Sequence, residues 1–454
     1  MPAEVNPTDP AAVIDAARQF LGTFHTPGLV LVAVSGGSDS TGLLLALHEA
    51  MAGMAGFSLA ACTVDHALRR ESAAEANAVA QLCASLGIVH LIRRWDGEKP
   101  LTGLQAAARD ARYTLLSGAA QETGALCVVT GHSRNDQIET VAMRSARSDE
   151  GSPGLSGMAD AVLFDRRTWI LRPFLGLDRA VIRDYLLARG EDWLDDPSNE
   201  SARFERVRVR QALARSLDAE AHDEDAGARE QRQVSARQAA AFLAAHGTVS
   251  GGLVARIEPV QAVGAGGEAI LKGILSLAAC LGGRSHLPGR VTSDRIRRFI
   301  DSGTDGRLTA GRVVFDRRRS GLYLYREARD LPVLSLDPEE EAMWDGRFRM
   351  RNRSQRAVRV SAGAVDAQTM AGLIAAGVPD GVARRAARAA PSVSGAVLVI
   401  DAATPVDVGI CLSPWDTFLP RFDLILADQC AALFGREPYK PLPVHHVFAE
   451  TAEF

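Results

Sequence analysis

The sequence predicts an α/β fold, a doubly wound parallel sheet over the first half of the chain followed by helical and mixed α+β C-terminal domains. Three observations predict it. Apolar runs of strand length alternate with helix-like stretches from residue 29 to about 175. The runs are continuously apolar instead of alternating, as expected of strands covered on both faces of a parallel sheet. Three polar signatures, beginning at Ser35, Asp65 and Gly131, all fall at the carboxyl ends of those strands, where such sheets bind ligands.

Taken in order, LVLVAV (29–34) is the first strand and ends at a Ser-Gly-Gly turn, and TGLLLALHEAM continues with helical spacing. FSLAACTVDH (57–66) is the second strand, and SAAEANAVAQLCASLG is a helix closing on Gly87. IVHLIRRW (88–95) is the third strand, followed by a long helix through TGLQAAARDARYTLLSGAAQETG. ALCVVTGH (125–132) is the fourth strand, with RNDQIETVAMRSA as its helix. An edge strand through WILRPF and a helix from Asp178 to Arg189 complete the pattern. Beyond it, residues 214–245 have the Ala, Glu, Gln and Arg content of exposed helices, and RVVFDRRRSGLYLYRE (312–327) reads as a hairpin. WDGRFRMRNR (344–353) and AVRVSAGA (357–364) read as strands of a terminal domain.

A chain of 454 residues is too long for one ordinary core. The expected domains are 1–214, 215–335 and 336–454. No apolar run approaches the roughly 20 residues that span a bilayer, and MPAEVNPTDP lacks the basic and greasy regions of a signal peptide. The expected address is therefore cytoplasmic, with no membrane partner. The cysteines, Cys62, Cys83, Cys127, Cys280, Cys411 and Cys430, form no C-x-x-C pair, which argues for buried thiols over a zinc or iron–sulfur site. Net charge is −4, but nucleic-acid binding follows local patches, so the total does not exclude it. Only Lys99, Lys272 and Lys440 are lysines; no lysine stands where a Walker-type loop would need one.

The hexapeptide S-G-G-S-D-S (35–40) lies between a buried strand and a helix. Two glycines let several N–H groups turn toward one point, the serines add hydroxyls, and the helix N-terminus adds partial positive charge. The result is an anion cradle without lysine, suited to pyrophosphate as a leaving group. Asp39 inside such a cradle calls for a Mg²⁺ ion between it and phosphate. The plain alternative is a Ser-Gly turn with Ser38 or Asp39 capping a helix.

S-G-G-x-D-S after the first strand resembles the PP-loop ATP pyrophosphatases, with their adenine nucleotide α-hydrolase-like fold. Further segments resemble the tRNA(Ile)-lysidine synthase branch: V-D-H-A-L-R-R-E-S (64–72), A-A-R-D-A-R-Y (107–113), T-G-H-S-R-N-D-Q-I-E-T (130–140), G-L-S-G-M (154–158) with R-P-F (172–174), and D-P-S-N…R-V-R-V-R (196–210). Together they cover residues 29 to 210 in register. The departures are Ala67 for a glycine, Ser133 for a histidine, Asn135 for an aspartate and Val207 for an asparagine.

The resemblance implies a two-step reaction. ATP adenylates O2 of cytidine 34 in the CAU anticodon of tRNA(Ile), releasing pyrophosphate; free L-lysine then attacks C2 and displaces AMP. It implies ATP contacts at Ser35, Gly36, Gly37, Ser38, Asp39, Ser40, Thr63 and Gly131, with Asp39 holding Mg²⁺, and catalytic roles for Asp39, His132 and Arg206. Asp136 and Glu139, three apart and on one face of a helix, would hold the lysine ammonium and accept its proton; on sequence alone they equally suit a solvated acidic face. His66, Arg109, Arg112, Asn199 and Arg210 are the implied RNA contacts. Arg109 and Arg112 could instead form a salt-bridged helix face, and His66 a packed core histidine. Trp193 and Phe204 read as core before base-stacking. Oligomeric state stays open, a homodimer included. The rival readings are another PP-loop tRNA-modifying enzyme such as a thiolase, and a tRNA- or nucleotide-binding protein with impaired catalysis, which Asn135 and Val207 motivate.

Overall fold

A computed structural model describes residues 10–68, 71–145, 157–194, 209, 224–258, 267–363, 365, 367–393, 396–397 and 406–447. They gather into two compact units, one running to Glu230 and including the segment from Lys440, the other spanning Gln231–Tyr439.

The first unit is built from α1 (Ala11–Gly22), β1 (Leu29–Ala33), α2 (Ser38–Met51), β2 (Ser58–Asp65), α3 (Ser72–Ser85), β3 (Val89–Arg94), α4 (Leu104–Thr123), β4 (Cys127–Thr130), α5 (Arg134–Ser145), β5 (Ala161–Phe164), β6 (Thr168–Leu171) and α6 (Arg179–Leu187). These strands lie in the order β5-β6-β4-β1-β2-β3. β1 pairs in parallel with β2 (Val30↔Leu59) on one side and with β4 (Val30↔Cys127) on the other. Val30, Leu31 and Val32 are fully buried there, as a central parallel strand demands.

Two expectations need correction. β3 is less buried than its apolar run predicts: it is the outer strand beside β2, and Val89 and Ile92 are exposed. The apolar run signalled a strand without telling a central position from an outer one. Likewise, β6 is no edge. It lies between β4 and β5, with β5 antiparallel to it through Val162↔Ile170, and the four residues of β5 are too few to show a period.

This order creates the functional geometry. From β1 the chain winds outward to β2 and β3, then returns to set β4 on the opposite side of β1. The connections leaving β1 and β4 therefore diverge and open a crevice at the strands' carboxyl ends, the topological switch point of an open α/β sheet. The chain from Lys440 closes this unit: the Trp169 indole N–H donates to the carbonyls of Lys440 (3.1 Å) and Pro441 (2.9 Å).

The second unit begins inside α7 (Glu224–His246) and holds sheets of five, four and three strands. The expected hairpin is present as β7 (Val313–Arg318) against β8 (Gly321–Arg326). A fully buried carboxylate, Asp345, accepts from Arg326 (3.0 Å) and Arg347 (2.7 Å) and pairs with Arg312. Burial lowers the Arg347 pKa to about 10 even though Asp345 opposes the shift. All six cysteines are buried.

Candidate active site

Ser35, Gly36 and Gly37 carry the chain from β1 into the first turn of α2, formed by Ser38, Asp39 and Ser40. Gly36 has φ +86°, and a Cβ there would lie 2.6 Å from Leu194 Cδ1; only glycine fits this turn. The Ser40 hydroxyl fixes the loop by donating to the Gly37 carbonyl and accepting the Ser35 N–H, both at 3.1 Å. First-turn N–H groups have no intrahelical acceptor, so with the helix dipole they form an anion cradle facing the crevice.

The opposite wall begins where β4 ends. A Cβ on Gly131 would sit 2.5 Å from the Asp39 carbonyl oxygen and 2.8 Å from the Ser40 nitrogen. Glycine thus lets the β4 terminus touch the backbone of the loop itself. His132 Nδ1 lies 2.8 Å from Thr130 Oγ1, which sets the ring orientation. The Ser133 N–H donates to Asp136 Oδ2 at 2.9 Å and fixes the first turn of α5. Gln137 spends its amide on Met158, donating to that carbonyl and accepting its N–H, and so joins two of the sequence signatures.

Between the walls lies a residue that the sequence reading passed over. Arg179, the first residue of α6, reaches Asp39 through Nε (2.9 Å), Asp136 through Nη2 (3.0 Å) and Glu139 through Nη1 (3.9 Å). All four side chains are largely buried, and together they carry a formal charge of −2. Ser133 Oγ donates to Asp39 Oδ2 at 3.0 Å and Ser38 Oγ to Asp39 Oδ1 at 3.0 Å. Arg183, one turn further along α6, reaches Ser38 Oγ at 3.4 Å and stacks over Trp193. A signal for Arg179 did exist: a cation at a helix N-terminus opposes the dipole and calls for compensation from elsewhere.

Asn135 finds a physical account here. Its Oδ1 accepts the backbone N–H of Arg179 at 2.8 Å. That bond needs an oxygen and no charge, so asparagine does what aspartate would.

The second strand contributes differently. Thr63 donates its hydroxyl to the Val34 carbonyl (2.9 Å) and lies 2.9 Å from His90 Nε2, so its hydroxyl ties β2 to the stem of the loop. Asp65 accepts the Ala67 N–H and the Ser72 hydroxyl, each at 2.7 Å. Burial opposes its ionisation, but those bonds hold its pKa below the usual value. Ala67 has φ +52°, the left-handed region that explains why the resembling family has glycine there. His66 packs edge-on against Trp95, its Nδ1 is buried without a hydrogen-bond partner, and its pKa is lowered by burial and then by Arg112.

On α4, Arg109 is exposed and lies over the Tyr113 ring, while Arg112 is half-buried and within the field of Asp136. Tyr113 is buried, which alone would raise its pKa; the charges of Arg172, Arg109 and Arg112 outweigh this and bring it to about 8. Asn199, Phe204, Arg206, Val207 and Arg210 lie outside the described residues. The structure thus brings Ser35 to Ser40, Gly131, His132, Asp136 and Glu139 to one crevice, adds Ser133, Arg179 and Arg183, and sets Thr63 behind the loop.

Beside its pairing with Arg179, Asp39 has the Ser38 and Ser133 hydroxyl oxygens at 3.0 Å, and a carboxylate among hydroxyls is the oxygen chemistry a hard cation such as Mg²⁺ selects. Among the described residues no three His, Cys, Asp or Glu form a ready-made cage. This fits Mg²⁺, which is usually held by one or two carboxylates and completed by substrate phosphates.

A family model described as PP-loop domain matches residues 12–217. The tRNA(Ile)-lysidine synthase of Rhizobium meliloti (strain 1021) is 50% identical over 97% of this chain and 99% of its own. That of Mesorhizobium japonicum is 39% identical over 94% and 97%, and that of Brucella melitensis biotype 2 is 40% identical over 73% and 76%. Among solved structures, the U34-tRNA thiolase NcsA from Methanococcus maripaludis overlaps 49% of this chain and 78% of that chain at 15% identity and a TM-score of 0.40, too loosely to carry an argument.

Two outcomes follow from this geometry. Gly131→Ala forces backbone against backbone, so it should destabilise the first unit by about 1–3 kcal/mol and weaken the protection that ATP gives in thermal melts; a variant with unchanged melting and unchanged protection contradicts the contact. Tyr113 should titrate near pH 8, about two units below an ordinary tyrosine, seen as phenolate absorbance lost in Tyr113→Phe. Because the folded value lies below the unfolded one, this ionisation adds stability that is complete above the unfolded value and vanishes as pH falls through about 8.

Proposed function

The chain belongs to the tRNA(Ile)-lysidine synthases of the PP-loop class, and from that premise we propose how its crevice ligates free L-lysine to C2 of cytidine 34 in the CAU anticodon of tRNA(Ile). The observation that carries the reading is that the S-G-G-S-D-S loop and the Asp136–Glu139 pair face each other across the β1/β4 switch point.

ATP enters with its phosphates at the loop, where the first-turn N–H groups of α2 and the serine hydroxyls receive the charge that builds up as the base oxygen attacks the α-phosphate. Asp39 would hold Mg²⁺, which would supply charge neutralisation to the phosphates when bound. His132, its ring set by Thr130, stands at the end of β4 to contact the nucleotide, and Arg206 is assigned to the adenylated intermediate. Pyrophosphate leaves from the cradle.

The second step needs a neutral amine, because an ammonium group has no lone pair, and lysine's ordinary pKa is near 10.4. Asp136 and Glu139 hold the incoming ε-ammonium, and one of them takes its proton as the amine attacks C2 and AMP departs. Their burial raises the strength of both the ion pair and the proton transfer. His66, Arg109, Arg112, Asn199 and Arg210 are assigned to the anticodon loop, whose splayed bases proteins read as single strands. The segment 336–454 is assigned to tRNA binding, with 215–335 as the connecting domain, and the work to the cytoplasm. A thiolase would need a reachable thiolate. Here burial raises the pKa of Cys62, Cys83 and Cys411 to about 11 and that of Cys127 further still.

The decisive experiment supplies the purified chain with ATP, Mg²⁺, radiolabelled lysine and an unmodified CAU-anticodon tRNA(Ile) transcript. Label should enter RNA, require ATP and vanish when cytidine 34 is replaced by uridine; no label with tight tRNA binding overturns the reading. Asp39→Asn should abolish pyrophosphate release while tRNA binding, followed by filter retention, persists. Glu139→Gln should raise the lysine KM by about ten-fold or more with pyrophosphate release little changed, and an unaltered lysine dependence removes Glu139 from the pocket.

A further inference from the structure

Arg179 touches both walls of the crevice, as the Ser133 hydroxyl also does between Asp39 and Asp136. Its three guanidinium nitrogens each take a different carboxylate: Asp39 from the nucleotide wall, Asp136 and Glu139 from the lysine wall. We propose, on the premise of the lysidine synthase reading, that Arg179 is a positioning residue that couples the two half-reactions by setting all three carboxylates at once.

Three features carry this. First, the position is costly on local grounds, since Arg179 opens α6 where the helix dipole repels a cation; the carboxylates offset that cost. Second, α5 holds Arg179 at both ends, because Asn135 accepts its backbone N–H while Asp136 receives its side chain. The guanidinium therefore cannot shift toward one wall without moving the other. Third, a planar fork presents its nitrogens at fixed and widely spread positions, whereas an ammonium group offers its three donors from a single point on a flexible stem. Without the fork, three carboxylates would face one another uncompensated by it, and like charges at such range spread or take up protons. Asp39 would then lose the orientation adenylation needs, and Asp136 and Glu139 the one that receives lysine.

The signature is a joint defect. Asp39 variants strike pyrophosphate release and Glu139 variants strike lysine use, whereas an Arg179 variant should strike both. The experiment uses the full chain and the CAU-anticodon transcript, reading pyrophosphate release without lysine and the lysine KM in the complete reaction. Arg179→Ala should slow the first at least about ten-fold and raise the second at least about ten-fold, and millimolar guanidinium should restore part of both. Arg179→Lys should show the same paired defect in milder form. A defect confined to one step overturns the proposal. So does a paired defect that guanidinium leaves unmoved in a variant melting like wild type, because that describes a mere staple between helices. If Arg179→Ala melts far below wild type, Arg179→Lys decides: paired loss sustains the proposal and single loss overturns it. Wild type that takes up no lysine overturns the functional reading and this inference with it; wild type that works beside a one-step variant overturns this inference alone.

Discussion

Three carboxylates around one guanidinium are the constraint on which the site depends. Asp39 stands on α2, Asp136 and Glu139 on α5, and the neutral Ser133 hydroxyl beside α5 bonds Asp39 and Asp136 without offsetting their mutual repulsion. Arg179 on α6 offsets it. The approach in turn requires β4 to touch the loop after β1, which a glycine at 131 permits, and requires β4 to be the neighbour of β1, which the winding order provides. Packing, chain order and charge thus lead to the same point in the crevice.

Much of the first unit was legible because its strands are short, apolar and bounded by turn residues. β1, β2, β4 and the helices after them stand where the apolar periods put them. What was not legible was lateral order. A run such as VHLIRR has the composition of a central strand and lies outermost, with Val89 exposed, because strand neighbours are decided by connections and not by the run itself. β5 was missed for a related reason, since AVLF is too brief to show a period and takes its place from pairing with TWIL. In the second unit the hairpin of β7 and β8 was readable from its turn, while the convergence of three arginines on Asp345 was not, since its members are scattered between Arg312 and Arg347.

The candidate site was legible where residues act through a contiguous motif. The loop 35–40, Gly131, His132 and the spacing of Asp136 and Glu139 all announce themselves in the sequence. Arg179 does so only as a cation at a helix start, because one arginine among many carries no mark of its partners, and Asp39 and Asp136 lie 140 and 43 residues away in the chain. Thr63 shows the opposite difficulty: its place beside the loop is as expected, yet its hydroxyl is committed to Val34. Asn135 looked like a lost charge and is a retained acceptor.

The two walls of the crevice come from separate strand ends and meet only through side chains and one glycine contact. Such an arrangement ties the walls to each other unequally. The cradle after β1 rests on backbone N–H groups, which depend little on side-chain identity. The wall after β4 rests on carboxylates that share one guanidinium with Asp39. A change of charge on the second wall therefore reaches the first through that shared cation, so a fold of this kind can vary its chemistry only by changes that keep the charge of the whole cluster.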